Sequence, residues 1–484
     1  MLYSVLRNFS AFGAAHIAER CIFFVFMVYA ARMLGPDAFG QYLLIGTYVL
    51  FFNITFTAGV MPVAVREIVR QREDPQSILE CVLSLRLILG LLAYSMLMII
   101  IGFVRPVPTM LPLAAIAGTA LVLDAFKDTF AAYHVAFERM SIPSAFSVAT
   151  AALAAASGAV LLYLGFGVLA LIATEALVNL AVIFLWHAVF FRRVRRYRIR
   201  LAVSAWKRLL VMIAPMAPLV LAAQFNRLAS VMMLSLVNGP LPTERAVGYF
   251  GPAQQIANFP LGLLVGMRSV MVPPIAAKLQ RRERIDQEFS ASLRIAIVFF
   301  SFPMLVATTL FAREILVLAF GPGYVESTLS LRLLGAAAAL WIAAIFPESF
   351  LISYPEQKMT RFLRGAYTPL IVNLVLCIVL IPVYGIAGAA FAIFVARGVH
   401  LLFAIHYCRT LLPLGSVRFV DALWPLAWLC AAYAGCLISA YSIDDTVLRA
   451  LTIFPLAVMG MLAAGHRELA MLWNRTLRRA QNSA

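Results

Sequence analysis

The sequence predicts an all-α integral membrane protein of about fourteen transmembrane helices, built as two pseudo-symmetric six-helix lobes plus a C-terminal helix pair. Three observations predict it: a strongly apolar composition, apolar runs long enough to span a bilayer that recur from end to end, and basic residues concentrated in alternate loops.

Hydrophobic residues make up 63% of the 484, and 13% are charged. A soluble domain is about half apolar and about a quarter charged, so lipid is the main solvent here. A helix needs roughly 20 apolar residues to cross a bilayer, and the runs have that length. Strands of an outer-membrane barrel are about half as long and alternate in polarity, which these do not.

The formal net charge is +17, from 39 Lys+Arg against 22 Asp+Glu. In a soluble chain such an excess suggests nucleic acid. Here the basic residues fall in the gaps between apolar runs, so they set topology and no nucleic-acid partner is expected. Six cysteines lie in or at the ends of apolar segments without a CxxC spacing. They read as small buried hydrophobes, and neither a disulfide, a metal site nor a cofactor is expected. The first apolar run contains Glu19 and Arg20. Cleavable signal cores are apolar throughout, so it reads as a retained span.

The expected spans are 9–33, 40–64, 78–104, 111–135, 141–164, 167–191 and 209–237, then 247–277, 289–312, 329–354, 366–384, 386–410, 422–441 and 447–466. Gly-Pro steps such as Gly35-Pro36, Gly239-Pro240 and Gly321-Pro322 punctuate them. The gaps leave no room for a soluble domain. The N-terminus, the even-numbered loops and the C-terminal tail hold 26 of the 39 basic residues. The odd-numbered loops with the span ends that border them hold five: Arg32, Arg105, Arg245, Arg313 and Arg449. The positive-inside rule then places both termini in the cytoplasm.

The basic 192–208 loop divides the first six spans from the next six, and the sequence faintly repeats across it. Ala38-Phe-Gly-Gln-Tyr42 has a counterpart in Ala246-Val-Gly-Tyr-Phe250, a shift of 208 residues. The same shift carries Glu19 onto Arg227, and Gly165-Phe-Gly-Val echoes Gly385-Ile-Ala-Gly388. With an even number of spans per half, the repeats are parallel, a common transporter plan that puts the substrate site between the halves. The expected division is 1–200, 201–415 and an accessory pair with an amphipathic cytoplasmic tail, 416–484.

These residues carry a resemblance. Ala31-Arg-Met-Leu-Gly-Pro-Asp-Ala-Phe-Gly-Gln-Tyr42 resembles the first-loop pattern of Wzx-type polysaccharide and O-antigen flippases, members of the multidrug/oligosaccharidyl-lipid/polysaccharide exporter superfamily. Ala319-Phe-Gly-Pro-Gly-Tyr324 with Leu331-Arg-Leu-Leu334, and Pro382-Val-Tyr-Gly-Ile-Ala-Gly-Ala-Ala390, are similar to the same family. The resemblance covers spans 1–12 and rests on Gly and Pro placement, which marks fold better than cargo. It implies a V-shaped pair of six-helix lobes opening alternately to each side of the bacterial inner membrane. It also implies a cargo: an oligosaccharide on undecaprenyl pyrophosphate, with a polysaccharide polymerase and a chain-length regulator as candidate partners and a monomer as the working unit. Many members have twelve spans; the extra pair is similar to lipid II flippases, whose first-loop pattern this chain does not share.

An ionisable side chain at mid-bilayer costs about 2.5–3.5 kcal/mol on insertion scales, so it should face water or a partner. Arg294 and Arg332 lie near span ends and can snorkel. Arg86, Lys127, Asp128, Glu175 and Glu348 are intermediate in depth, whereas Arg20, Arg227, Arg268, Arg397, Glu19 and Asp124 are deep. An internal ion pair such as Glu19 with Arg227 would make them structural. A cationic cavity for a pyrophosphate and acidic sugars would make them functional, and the excess of deep arginines favours that reading. Arginine suits it because its planar fork pairs with phosphate oxygens and stays charged when dry.

At 100° per residue, Gln254, Asn258 and Arg268 share one face of span 8 and join the substrate-binding candidates. Asp124, Lys127 and Asp128 share a face of span 4; they either neutralise one another or bind a coupling H⁺ or Na⁺. Glu19, Asp124, Asp128 and Glu175 are therefore the candidate ion-coupling residues. His16 stands one turn before Arg20 as a candidate for the same cavity, and no histidines show metal spacing. The tail 467–480 sets Leu469, Leu472, Trp473 and Leu477 against four arginines, as in a helix lying on an anionic leaflet.

Two other classes of protein share parts of this pattern. A cation-coupled drug exporter of the same superfamily should line its cavity with acidic and aromatic residues rather than arginines. A polysaccharide polymerase or ligase would need a sizeable extracytoplasmic loop, and the odd-numbered loops are short. Their one acidic pair, Asp444-Asp445, suits a helix cap better than catalysis. No enzyme activity is expected.

Overall fold

A computed structural model describes residues 2–70, 74–104, 110–191, 199, 201–215, 217–281, 283, 285–353, 356–411, 420–443 and 446–481. Helices α1 (Leu2–Thr57), α2 (Val60–Arg70), α3 (Pro75–Val104), α4 (Met110–Ala136), α5 (Ser141–Tyr163) and α6 (Val168–Phe191) come first. They are followed by α7 (Val203–Ile213), α8 (Ala217–Leu236), α9 (Thr243–Gln280) and α10 (Asp286–Ile295). A π-helical turn (Ala296–Ser301) leads into α11 (Phe302–Leu310), α12 (Ala312–Phe320) and a 3-10 turn (Pro322–Ser327). Then come α13 (Thr328–Ile352), α14 (Glu356–Leu411), α15 (Val420–Ser442) and α16 (Thr446–Gln481). Each of the fourteen expected spans falls on helix. Residues 192–198 and 200 of the 192–208 loop and the Asp444-Asp445 pair lie outside the described residues, as do the side chains of the 467–480 tail.

Among the described residues, nine helical stretches are long and apolar enough to cross a membrane. Two of them, Gly13–Arg70 with 58 residues and Tyr367–Thr410 with 44, are too long for one crossing. At 1.5 Å per residue the longer would reach about 87 Å if straight, against roughly 30 Å of hydrocarbon. Each breaks at a glycine: Gly35 (φ 72°, ψ 173°) divides spans 1 and 2, and Gly385 (φ 53°, ψ −127°) divides spans 11 and 12. A positive φ favours glycine at both places. Gly165, the repeat counterpart of Gly385, also has positive φ, 83°.

Two expected spans are less continuous than the apolar pattern suggests. Span 7 splits into α7 and α8 where Pro215 and Pro218 withhold backbone donors. Span 2 gives way at Gly59 (φ 80°), after which α2 takes a separate course. The π-helical turn in span 9 stands just before Pro303, whose missing N–H is accommodated by the wider turn.

The chain forms two compact units, Met1–Pro252 with Cys377–Ile386, and Ala253–Leu376 with Ala387–Ala484. In the first, α1 packs on α3, α4, α5 and α8, and α4 on α6. One core joins Val63 and Ile68 of α2 to Val82 and Leu85 of α3 and Leu209 and Ile213 of α7. A short piece of α14 completes this unit. Cys377 Sγ lies 3.8 Å from Ser230 Oγ, and Gly385 lies against the ring of Pro240.

In the second unit, α13 packs on α10, α11 and the π-helical turn. Leu429, Cys436, Ile453 and Ala457 of the C-terminal pair bury against Val298, Phe302, Val306 and Leu310 of span 9. Large apolar side chains such as Leu177 and Phe184 on α6 stand 66% and 67% exposed. In water they would form a costly patch; in a bilayer they meet lipid.

Candidate functional site

Among the described residues, three groups of charged and polar side chains sit within the apolar helices, two in the first unit and one in the second. The first is on α1 and α8, which pack together. Arg20 Nε donates to His16 Nε2 at 3.4 Å, and His16 Nδ1 lies 3.9 Å from the Glu19 carboxylate. An imidazole that accepts at Nε2 carries its proton at Nδ1, facing that carboxylate. Arg227 lies on α8 and is exposed within the unit. Among the described residues Glu19 lies beside His16 and makes no ion pair with Arg227.

The second group links α1, α3, α4 and α6. Arg86 Nη1 donates to Asp128 Oδ2 at 2.6 Å, and Lys127 Nζ lies 2.7 Å from Asp124 Oδ1. Asn53 Nδ2 donates to Asp124 Oδ2 at 2.7 Å, while Lys127 donates to Asn179 Oδ1 at 2.8 Å. Tyr42 donates to the Glu175 carboxylate, joining α1 to α6. Asp124, Asp128 and Glu175 are thus each met by a donor from another helix. Burial makes such bonds matter, since an unmet buried charge costs several kcal/mol.

The third group joins α13 to α14. The Arg397 guanidinium lies over the ring of Trp341, 4.2 Å from its centroid, and His400 Nε2 meets the Glu348 carboxylate. Gln254 and Asn258 are half-buried on α9. Arg268 is helical there, with its side chain outside the described residues. Among the described residues, no cluster of His, Cys, Asp and Glu could hold a metal.

Sequence reasoning passed over Asn53, Asn179, Tyr42, Trp341 and His400 as partners. Helix faces carried part of the signal. Arg397 and His400 are three residues apart on one helix, and Trp341 and Glu348 are seven apart on another, so each pair shares a face. Which faces meet is a long-range fact that spacing does not hold.

An all-helical chain with lipid-exposed apolar faces and charged groups held between helices is a multi-pass membrane protein of the transporter class. The chain belongs to the polysaccharide biosynthesis protein family, whose model matches residues 30–329. No curated protein sequence matches it. Its fold is similar to a structure described as the lipid II flippase MurJ in an inward closed conformation. That match has a TM-score of 0.75 at 13% identity and covers 95% of this chain and 99% of that one. An inward-facing multidrug resistance MATE family transporter of the MOP superfamily follows, with a TM-score of 0.63 at 16% identity, covering 81% and 94%. A MOP superfamily transporter from Pyrococcus furiosus, described as having a binding pocket of reverse polarity, gives 0.54 at 14%, covering 84% and 95%. At these identities the likeness is one of fold. Coverage of 95% leaves too few residues to omit the C-terminal pair, so that match takes in most of it. The family and the fold are those of transporters rather than enzymes.

Proposed function

We propose that this protein is a flippase carrying an undecaprenyl-pyrophosphate-linked oligosaccharide across the bacterial inner membrane, for assembly of a cell-surface polysaccharide such as exopolysaccharide or O-antigen. The observation that carries the reading is the placement of Arg20 on α1 and Arg227 on α8, two apolar helices that pack together. A pyrophosphate has oxygens enough to meet both cations through paired, charge-assisted hydrogen bonds. Membership of a polysaccharide biosynthesis family supports the same cargo class.

In this reading Arg20, Arg227, Arg268 and Arg397 bind the pyrophosphate and acidic sugars, and Gln254 and Asn258 bind sugar hydroxyls. The headgroup crosses a hydrated path while the polyprenyl tail stays in the bilayer. The lobes at 1–200 and 201–415 alternate in access around it, with 416–484 as an accessory pair. Protonation or cation binding among Glu19, Asp124, Asp128 and Glu175 couples the cycle to an ion gradient. Both termini face the cytoplasm. Glycosyltransferases supply the cargo, and a polysaccharide polymerase with its chain-length regulator consumes it.

Four arginines in bare hydrocarbon would cost on the order of 10–14 kcal/mol by the insertion scale. A hydrated cationic path removes that cost and concentrates positive potential where the pyrophosphate passes. In a strain with this gene as its sole copy, Arg20→Ala or Arg268→Ala should abolish surface polysaccharide while the protein still inserts. Lysine should restore part of it, keeping the charge without the fork. Alanine variants that insert normally and export at the full rate would refute the cationic site.

A further inference from the structure

Two short helices leave their membrane spans at a break and pack on each other. α2 departs from span 2 after Gly59, and α7 ends just before the break at Pro215. The two breaks adjoin: a Cβ on Gly59 would stand 3.2 Å from Ile213 Cγ2. Both helices are amphipathic. α2 buries Val60, Val63, Ala64 and Ile68, and α7 buries Leu209 and Ile213, in one core with α3. Trp206 Nε1 of α7 donates to Ser84 Oγ of α3 at 3.1 Å, which fixes the roll of α7 on that core.

Their outward sides carry cations and apolar groups without an acid. Glu67 is the one acidic residue on either helix, and its side chain is 4% exposed. Its Oε1 lies 3.8 Å from Arg66 Nε and 4.0 Å from Arg70 Nη1, so those nitrogens are no more than 7.8 Å apart. Both distances exceed a hydrogen bond, so the buried carboxylate draws the two guanidiniums together without using their donors. The arginine side chains are 58% and 77% exposed. Two charge-assisted bonds of about 2.8 Å, made to opposite oxygens of one phosphate, bridge such a gap. On α7, exposed Lys207 stands among Val203, Leu210 and Val211, all within about 100° on one side of the helix, and exposed Arg208 borders them. Val211 is 73% exposed. A soluble acidic protein would pair the cations and leave these apolar groups unmet. A lipid surface meets both, because the long cationic side chains reach the headgroups while the apolar ones enter the acyl boundary.

We propose that α2 and α7 bind anionic phospholipids of the cytoplasmic leaflet. Arg66 and Arg70 bridge the phosphate of one lipid. Lys207 and Arg208 hold a second headgroup, whose acyl chains lie against Val203, Leu210 and Val211. The two helices stand at the second and sixth connections, where the basic residues collect, and anionic lipid is drawn to such segments. The site is separate from the cargo arginines and stands whatever the cargo is; its leaflet alone rests on the basic-loop asymmetry. Its effect is to tie the first unit to the bilayer surface at the corner where spans 2 and 7 break.

The test reads lipid contact at the site itself. In the full chain with its six native cysteines replaced, Val69→Cys or Val211→Cys carries a fluorophore, and Phe184→Cys on exposed α6 serves as the reference. Each is reconstituted in phosphatidylcholine nanodiscs holding spin-labelled phosphatidylglycerol or spin-labelled phosphatidylcholine at equal mole fraction. Quenching at 69 and 211 should favour phosphatidylglycerol at least about threefold more than at 184, and the preference should fall as salt rises. Arg66→Gln with Arg70→Gln should erase the preference at 69, and Lys207→Gln with Arg208→Gln that at 211. Arg66→Lys with Arg70→Lys should keep most of it. If the first pair does not fold, adding Glu67→Gln removes the stranded carboxylate and the same reading applies. Equal quenching by both lipids overturns the site. Quenching by neither also overturns it, because α2 and α7 then face water and a soluble acidic partner is the better fit. A membrane-impermeant maleimide that reaches Val69→Cys in right-side-out vesicles but not in inverted ones overturns it too, by placing the helices on the other leaflet. Polysaccharide export enters none of these readings, so their failure leaves the flippase reading as it stands.

Discussion

The guanidinium of Arg397 rests on the face of Trp341, 4.2 Å from the ring centroid, so α13 sets the position of a cation carried by α14. The ring attracts the charge without neutralising it, which leaves the donors at the edge of the guanidinium plane for a ligand.

Trp341→Leu should therefore lower export while Arg397 remains in place. Loss of the ring contact should also cost about 0.5–2 kcal/mol of stability, the range for a cation over an aromatic face. Trp341→Phe should fall between. Melting of purified protein and surface polysaccharide, measured on the same variants, would check this. An export rate in Trp341→Leu equal to that of the parent would show that Arg397 is not held for cargo.

Arg86 and Asp128 should respond unequally to loss of their partner. The Arg86 side chain is 4% exposed and that of Asp128 is 44%. Asp128→Ala strands a buried cation, a loss of about 3–5 kcal/mol by precedent for broken buried pairs. Arg86→Ala leaves a carboxylate that can still reach water or an ion, and should cost less. Thermal melting in detergent orders the two, and the reverse order would mean that Asp128 is the more enclosed group in the membrane.

The basic-loop asymmetry makes a topological prediction. Reporter fusions after Arg200 and after Arg479 should report cytoplasm, and fusions near Arg245 and Asp444 the opposite side. A signal from the 192–208 loop on the outer side would invert every assignment, because all the loops share one alternation.

Much of the architecture was legible because lipid imposes a single rule: backbone donors must be satisfied within each crossing helix. Apolar length and Gly-Pro steps therefore placed the helices well, and even the glycine breaks at 35 and 385 fell between expected spans. The interruptions at Pro215 and Gly59 were less legible, because hydropathy averages over them. The sequence offered the deep charges as candidates but not their company. Asp124 and Asn53 are 71 residues apart, Glu348 and His400 52, and those pairings depend on how helices pack. The 208-residue shift was visible as a faint echo. Its physical reason, Gly40 and Gly248 each pressed against the other repeat's backbone, appears only in three dimensions.

The short stretch Cys377–Ile386 that belongs to the first unit has a bearing on biogenesis. Ser230, Gly239 and Pro240 wait for Cys377, Ile381 and Gly385. The ribosome must add 134 residues after Pro252 before that stretch exists. At elongation rates of roughly 5–20 residues per second, the delay is about 7–27 s. Through that interval the end of α8 sits in the translocating membrane without its final neighbour, so the insertion machinery or a chaperone has a defined window in which to shield it.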